Sequence, residues 1–401
     1  MSSSRPPHFL MRGHYASHPA NPTGWIMALF MLVSLLSPPA MAGLLTGLPL
    51  FSGVDLKQVE AEHPGVPRVD IRYLGVGGYL IKWGEDEIMM APSFSNPDPL
   101  SLLFNTRPNP KIIDRMIPDV SDVDMILVGH AHYDHLLDVP YVMNKYAKKA
   151  KVYGSKTMKH LIASQVPANR IEIIEDKAGT AQTPGQWIYN PSGRIRFMAI
   201  KSDHAPNASL HGVIKTAWGN DYEWDWLFNV SEGSYDKDLD RMPLSAFEWK
   251  EGQSMAFIVD FLDAHGNIAF RFHYEDAAST PDKGFIPTEV LNEKPVDMAI
   301  LTVANFDQIS NDPKDYPPGM IPGYPEGIVA NLQASHYVLG HWENFFGNTA
   351  TYPWPFNNVT ILPLSVVPLT NAQKFLERLK NATQAPFTFP KPGAQMTFLI
   401  E

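Results

Sequence analysis

Residues 130–135 of this chain read His-Ala-His-Tyr-Asp-His and follow directly on the apolar run at 125–128. An apolar run of this length, bounded by Asp124 and Gly129, is typical of a buried strand. The histidines and the aspartate therefore lie where a strand ends and a loop begins, a place where rigid scaffolds present functional side chains. Neutral imidazoles and carboxylates are the ligands that Zn²⁺ and similar divalent ions bind. The spacing favours a metal site over a surface loop that happens to be polar.

The composition of the 401 residues excludes other classes of site. There is no cysteine, so disulfides, thiolate ligands and a cysteine nucleophile are all ruled out. The formal net charge of −10 argues against binding to nucleic acid or to anionic lipid, because both need clustered lysine and arginine. We therefore expect a small-molecule substrate as the partner. Nothing in the sequence indicates the oligomeric state.

The first 42 residues have the pattern of a targeting segment. Arg5 and Arg12 precede an apolar run at 25–36, and Ala-Met-Ala at 40–42 is an A-x-A cleavage pattern. The apolar run is too short to favour a stable membrane span. We predict a signal peptide that is cleaved after residue 42, with export to a bacterial periplasm or to the medium. An uncleaved anchor in the inner membrane is the alternative.

The remainder of the chain reads as an arm followed by one large domain. Residues 43–68 mix small apolar residues with proline and glycine, which predicts an irregular arm. From residue 69 onward, alternating runs joined by glycine-rich turns predict an antiparallel meander, and strand–helix–strand order after residue 135 predicts parallel pairing. The domain is assigned to 69–401. At about 205–253 aromatic and acidic residues alternate without a helical period, which predicts either a buttressing insertion or a lid over the substrate.

Three later strand ends carry further side chains of the ligand type. They are His204, Asp276 and His341. For each of them, another residue of the same type lies elsewhere in the sequence and is an alternative ligand. The rivals are His211 beyond the strand end, Asp260 in the middle of a strand, and His336 at the opposite end of the last strand.

The motif at 130–135 resembles the metal-binding motif of the metallo-β-lactamase-fold hydrolases, and the resemblance extends from about Val69 to about Phe346. It implies a four-layered αββα sandwich, an α/β fold with two mixed sheets covered by helices. The sequence Pro-Ser-Phe-Ser-Asn-Pro at 92–97 is similar to the subgroup that contains ascorbate-phosphate lactonases and N-acyl-phosphatidylethanolamine phospholipase D. Many members carry Asp-Pro where this chain has Ala-Pro at 91–92, and Gly-Asp where it has Glu-Asp at 275–276.

The resemblance also implies a ligand set for two divalent metal ions, with Zn²⁺ as the first choice and Mn²⁺ or Fe²⁺ as alternatives. One ion would be held by His130, His132 and His204. The other would be held by Asp134, His135 and His341, with Asp276 bridging the two. Two such ions generate hydroxide from water near neutral pH and stabilise the attacking and leaving oxygens of a displacement. Asp134 would be the catalytic residue that orients the water or passes on a proton.

These inferences predict an exported metal-dependent hydrolase that cleaves an ester, lactone or phosphodiester in a small, apolar or acyl-bearing molecule. A phosphate group would favour a converging pair of arginines or lysines, and only Lys201 is near the motif residues in sequence. One alternative is β-lactam hydrolysis, although β-lactamases of this fold generally lack the bridging aspartate. The other is a non-catalytic metal-binding protein on the same fold. The natural substrate is not specified by the sequence.

Overall fold

A computed structural model of the chain describes residues 48–97, 101, 104–206, 232–343 and 367–400. The predicted signal peptide, the rival His211 and much of the aromatic insertion lie outside these residues. The strands are β1 Leu50–Phe51, β2 Arg68–Gly75, β3 Gly78–Trp83, β4 Asp86–Met90, β5 Val123–Leu127, β6 Lys151–Gly154, β7 Ile171–Ile173, β8 Ile188–Tyr189, β9 Ile195–Lys201, β10 Met255–Leu262, β11 Ile268–Tyr274, β12 Met298–Thr302, β13 Tyr337–Gly340, β14 Phe387–Pro390 and β15 Gln395–Leu399. The α-helices are α1 Leu56–Glu62, α2 Pro110–Met116, α3 Tyr133–Leu136, α4 Val139–Lys145, α5 Lys156–Ile162, α6 Thr288–Glu293, α7 Glu326–Leu332 and α8 Val367–Ala382.

The strands form two mixed sheets. An eight-stranded sheet has the order β1-β14-β13-β12-β11-β10-β9-β8, and a seven-stranded sheet has the order β15-β2-β3-β4-β5-β6-β7. Pairing is antiparallel from β8 to β11 and parallel from β11 to β14 and β1. In the second sheet, β15 to β4 are antiparallel and β4 to β7 are parallel. The described part of the predicted arm contains β1 and α1.

Helices cover the outer face of each sheet. On the eight-stranded sheet, Val290 of α6, Ile328 of α7 and Phe375 of α8 share a buried cluster with strand residues such as Ile300. On the seven-stranded sheet, Met89 and Ile126 share a buried cluster with Ile113 of α2 and Val142 of α4. The layer order is therefore helix, sheet, sheet, helix, and the predicted αββα architecture with two mixed sheets is confirmed.

Aromatic side chains fill the space between the two sheets. The rings of Trp83 and Phe261 lie 6.0 Å apart, and those of Phe270 and Phe398 lie 5.5 Å apart, each pair joining one sheet to the other. Burial alternates with a period of two along most of β2, whereas the central strands β4, β10 and β12 are buried on both faces because helices cover the outer sides of the sheets. No helix in the described part of the chain is long and apolar enough to cross a membrane.

The strand directions bring several chain segments to one edge of this sandwich. Because β9, β11 and β13 run in the same direction, their carboxyl ends meet at one edge of the eight-stranded sheet. The segment after β5 reaches the same edge from the other sheet, where the Met255 N–H donates to the Gly129 carbonyl at 2.8 Å. The Ala131 N–H donates to the Glu251 carbonyl at 2.8 Å beside it. The two sheets are therefore joined at the place where the predicted ligands lie.

Candidate metal centre

The structure brings all seven predicted ligand side chains to this edge. They are His130, His132, Asp134, His135, His204, Asp276 and His341. The ring of His130 lies at its centre, 4.8 Å from the ring of His132, 4.6 Å from that of His204 and 4.2 Å from that of His135. The ring of His341 lies 5.2 Å from that of His135.

One group of ligand atoms consists of three imidazoles. One nitrogen each of His130, His132 and His204 lies within 4.8 Å of the others. His130 and His132 follow β5 two residues apart and turn to the same side, whereas His204 follows β9 in the other sheet. His130 and His132 are buried, and His204 is half-buried. Three converging imidazoles with partial access from outside fit a catalytic metal position better than a closed structural one.

A second group is built on the short helix α3. Ligand atoms of His130, Asp134 and His135 lie within 4.8 Å of one another. The Oδ2 atom of Asp134 lies 3.1 Å from Nε2 of His341 and 3.6 Å from Nε2 of His135. The Asp134 carboxylate therefore contacts the imidazoles of both His135 and His341, and His130 belongs to both groups of ligand atoms.

The carboxylate of Asp276 contacts both groups from the side of the Nδ1 atoms. It accepts a hydrogen bond from the Gly129 N–H at 3.0 Å, and it lies 2.9 Å from Nδ1 of His130 and 3.3 Å from Nδ1 of His135. A Cβ atom on Gly129 would lie 2.2 Å from Oδ1 of Asp276, so the close approach requires glycine there. The hydrogen bond to Nδ1 of His130 orients that ring and leaves its Nε2 for a metal, whereas His135 is within ion-pair distance without a hydrogen bond. The bridging role of Asp276 implied by the resemblance stays a prediction.

Several nitrogens of the cluster have no hydrogen-bond partner among the residues that the structure describes. They are Nε2 of His130, Nε2 of His132 and both ring nitrogens of His135, all of them buried. Buried polar atoms in proteins are nearly always hydrogen-bonded, and each exception needs an explanation. The Nδ1 atom of His204, by contrast, lies 2.5 Å from the Ala205 carbonyl, which leaves its Nε2 facing the cluster. The orphaned nitrogens and the N/O donor set fit divalent metal ions.

Burial and mutual repulsion keep most of these histidines neutral. Burial, followed by the charge of His130, lowers the pKa of His135 to about 4 and that of His204 to about 3. The same two causes hold the pKa of His132 well below 6.5. Burial would raise the pKa of Asp134, but the imidazoles of His135 and His341 outweigh it and hold that pKa well below its ordinary value. At neutral pH the site thus offers neutral imidazoles at His132, His135 and His204 and an ionised carboxylate at Asp134, the forms that bind metal. Burial would lower the pKa of His130, but the charge of Asp276 outweighs it and raises that pKa above its ordinary value.

The rival residues have other partners. Asp260 lies in the middle of β10 and pairs with Arg271 at 2.6 Å and with Arg196 at 2.8 Å. Nε2 of His336 lies 2.7 Å from the hydroxyl of Thr388. Both rivals therefore have contacts that do not involve the cluster.

Sequence reasoning missed the role of Asp138. Its position directly before α4, with Pro140 in the first turn, is typical of a helix cap, but its side chain makes no capping hydrogen bond there. Instead it accepts hydrogen bonds from the N–H groups of Phe94 at 2.7 Å and Ser95 at 2.8 Å, and from the Ser95 hydroxyl at 2.6 Å. It thereby ties the loop at 92–97 to the segment that follows the metal motif. An aspartate shortly before a proline at the start of a helix reads as a cap in sequence, which hid this long-range contact.

Comparisons with known proteins give only distant likenesses. No family model matches the chain, and no curated protein matches it. It is similar to the solved structure of Igni18, a metallo hydrolase from Ignicoccus hospitalis, with 14% identity, a TM-score of 0.42, and coverage of 83% of this chain and 100% of that one. YhfI of Bacillus subtilis, a metallo-β-lactamase fold protein, has 11% identity, a TM-score of 0.40, and coverage of 83% and 100%.

A possible metal-dependent hydrolase from Veillonella parvula has 14% identity, a TM-score of 0.43, and coverage of 83% of this chain and 99% of that one. At such TM-scores these likenesses carry no conclusion about activity. They also give no support to the narrower resemblance to the lactonase and phospholipase D subgroup.

Proposed function

We propose that this chain is a metal-dependent hydrolase of the metallo-β-lactamase fold. The observation that carries the proposal is the pair of converging ligand groups with buried, unpartnered imidazole nitrogens. His130, His132 and His204 would hold one divalent ion, and Asp134, His135 and His341 would hold a second. The donor set of imidazole nitrogen and carboxylate oxygen suits Zn²⁺ first, with Mn²⁺ and Fe²⁺ as alternatives.

When bound, such ions supply a Lewis acid and a hydroxide nucleophile at neutral pH. The residues of the chain would do the rest. Asp134 is ionised at neutral pH because neighbouring imidazoles lower its pKa, and it forms the second ligand group with His130 and His135. It can therefore hold the attacking water in place and accept or return a proton. The buried setting of the cluster lowers the local dielectric and strengthens each of these electrostatic interactions.

The substrate class that we propose is an ester, lactone or phosphodiester of a small apolar or acyl-bearing molecule. Among the residues that the structure describes, Asp134 and Asp276 form ion pairs with histidines. Lys201, the cation nearest the motif residues in sequence, ends β9 with an exposed side chain. These features favour an apolar substrate over a highly charged one. Export remains part of the proposal, supported by the targeting pattern in the sequence, and N-terminal sequencing of the mature protein tests it.

Metal analysis combined with a substrate panel tests the proposed function. The protein purified with Zn²⁺ is analysed by plasma mass spectrometry and assayed on activated esters, lactones, phosphodiesters and a chromogenic cephalosporin. We expect about two metal ions per chain, and turnover that falls at least roughly a thousandfold in Asp134→Ala, which equals about 4 kcal/mol of transition-state stabilisation. Asp122→Ala, an exposed aspartate paired with Lys149, is the matched control and should retain full activity.

Each alternative has its own outcome in this experiment. Turnover of the cephalosporin alone would identify a β-lactam hydrolase. Bound metal without turnover of any substrate would identify a metal-binding protein without catalysis. A protein that binds no metal at any Zn²⁺ concentration would refute the proposal.

A further inference from the structure

The backbone of His341 is strained, and so is the turn that it contacts. His341 has a φ of 53°, in the left-handed region that residues other than glycine rarely occupy. Val76, in the turn between β2 and β3, has a φ of 55°, which is more unusual still because its side chain is branched at Cβ. The two residues are joined directly, since the His341 N–H donates to the Val76 carbonyl at 2.9 Å. Strained residues of this kind persist only where their surroundings hold them, and they concentrate at functional sites.

One buried carboxylate holds both strained residues. Glu343 is 1% exposed, and its Oε1 atom accepts a hydrogen bond from the Val76 N–H. Its Oε2 atom accepts hydrogen bonds from the Tyr73 hydroxyl at 2.5 Å and from the Trp342 N–H at 3.1 Å. The Tyr73 hydroxyl in turn accepts a hydrogen bond from the His341 N–H at 3.1 Å. The carboxylate thus links the turn in one sheet to the segment after β13 in the other.

The same turn also touches a second proposed ligand. A Cβ atom on Gly77 would lie 2.7 Å from Nδ1 of His135, so the turn packs directly against that imidazole. His135 and His341 are two of the three proposed ligands of the second ion, and they lie on either side of Asp134. The residues that Glu343 contacts therefore pack against His135 and His341, whereas none of its hydrogen bonds given above reaches His132 or His204.

We propose that Glu343 is a positioning residue for the second metal position. Its carboxylate fixes the turn at Val76 against the backbone of His341, which sets the imidazole of His341 opposite Asp134 and His135. The inference rests on the proposed function, because it assigns Glu343 to one of the two proposed ion sites. Replacing Glu343 with glutamine keeps the shape but offers a single acceptor oxygen where three donors converge.

Zinc titration of Glu343→Gln against a competing chromophoric chelator tests this role. We expect one zinc equivalent to bind as in the wild type and the other to bind about 10–100-fold more weakly, the usual effect of losing a group that orients a ligand. Asp86→Asn is the matched control. Asp86 is buried at the start of β4, away from the metal centre, and accepts a hydrogen bond from the Asn190 amide at 2.8 Å. Both zinc equivalents should therefore bind to Asp86→Asn as they do to the wild type.

Amide hydrogen exchange on the metal-free protein gives a readout that needs no metal. The amides of Val76 and His341 should exchange faster in Glu343→Gln than in the wild type, and those of β9 should not. If Glu343→Gln does not fold, Tyr73→Phe removes one hydroxyl of the same network. Tyr337→Phe is its control, because that hydroxyl bonds the Ala334 N–H at the other end of β13.

The outcomes separate this inference from the proposed function. A wild type that binds no zinc would overturn the proposed function itself. A wild type that binds two zinc ions, beside a Glu343→Gln variant that binds both equally well or loses both equally, would overturn only the role of Glu343.

Discussion

Two buried polar clusters in this molecule differ in how completely their atoms are bonded. The ion-pair cluster is centred on Asp260 and Arg271, both fully buried. Arg271 donates from Nε to Asp260 Oδ1 at 2.6 Å, from Nη2 to Asp260 Oδ2 at 2.8 Å and from Nη1 to the Lys294 carbonyl at 2.9 Å. The metal cluster is also largely buried, but ring nitrogens of His130, His132 and His135 lack hydrogen-bond partners in the described structure.

Whether the hydrogen-bonding atoms of a buried polar cluster are all matched distinguishes structural from functional polar residues. A buried network whose donors and acceptors are matched is complete without a ligand, whereas an unmatched one requires a further atom. Asp260 on β10 and Asp276 just after β11 are both buried aspartates of one hairpin, and in the sequence they were rivals for one role. Their partners distinguish them, because Asp260 bonds arginines and Asp276 contacts imidazoles.

The largest expected effect comes from breaking the ion-pair cluster. Arg271→Met should lower the free energy of unfolding by about 3–5 kcal/mol, because it leaves the buried charge of Asp260 without its main partner. Urea denaturation of the metal-free protein measures this loss. The zinc content should stay that of the wild type. Arg241→Met, which removes a largely exposed pair with Glu248, should cost less than about 1 kcal/mol. Loss of zinc in Arg271→Met would show that the two clusters are coupled.

A second prediction tests a histidine that belongs to neither cluster. His273 is buried on β11, with Nε2 3.3 Å from the Gly284 carbonyl, and burial lowers its pKa to about 4 from the ordinary 6.5. Between pH 6.5 and 4, His273 therefore binds a proton in the unfolded chain but not in the folded one. The free energy of unfolding consequently falls as the pH falls towards 4. At 1.36 kcal/mol per pKa unit, this contribution is roughly 3 kcal/mol.

His273→Gln should accordingly lose less stability than the wild type between pH 6.5 and 4, measured by urea denaturation of the metal-free protein. His265→Gln, in an exposed turn, is the control and should follow the wild type. Parallel curves for His273→Gln and the wild type would show that His273 is protonated in the folded state. His273 would then carry a charge in the folded protein, as the side chains of the ion-pair cluster do.

The smallest expected effect concerns the metal cluster itself. Zinc at a free concentration of 100 times its dissociation constant should stabilise the wild type by about 2.7 kcal/mol per site, because it binds the folded state alone. His132→Ala should lose most of this stabilisation for the first ion while its metal-free stability changes little. Thermal unfolding with and without zinc measures both quantities. An equal zinc effect in His132→Ala would remove His132 from the ligand set.

Local patterns in the sequence predicted the strand ends where the site lies, whereas the αββα architecture and the full ligand set were implied by the resemblance to the metallo-β-lactamase-fold hydrolases. Apolar runs that end in His204, Asp276 and His341 are strand ends, and strands of one direction bring such ends to one edge. The support around the ligands could not be predicted in this way. The hydrogen bond between Glu343 and Val76 joins residues 267 positions apart. The positive φ of Val76 could not be predicted either, because valine is not a residue type that indicates a left-handed backbone. The contacts of Asp138 were hidden by its resemblance to a helix cap.

The proposed ligands of each ion come from both halves of the sandwich. His130 and His132 leave one sheet while His204 leaves the other, and the same division separates Asp134 and His135 from His341. Docking of the two sheets would therefore complete both ligand sets. A metal ion bound to a complete set would join the two sheets and would have to be released before they could separate.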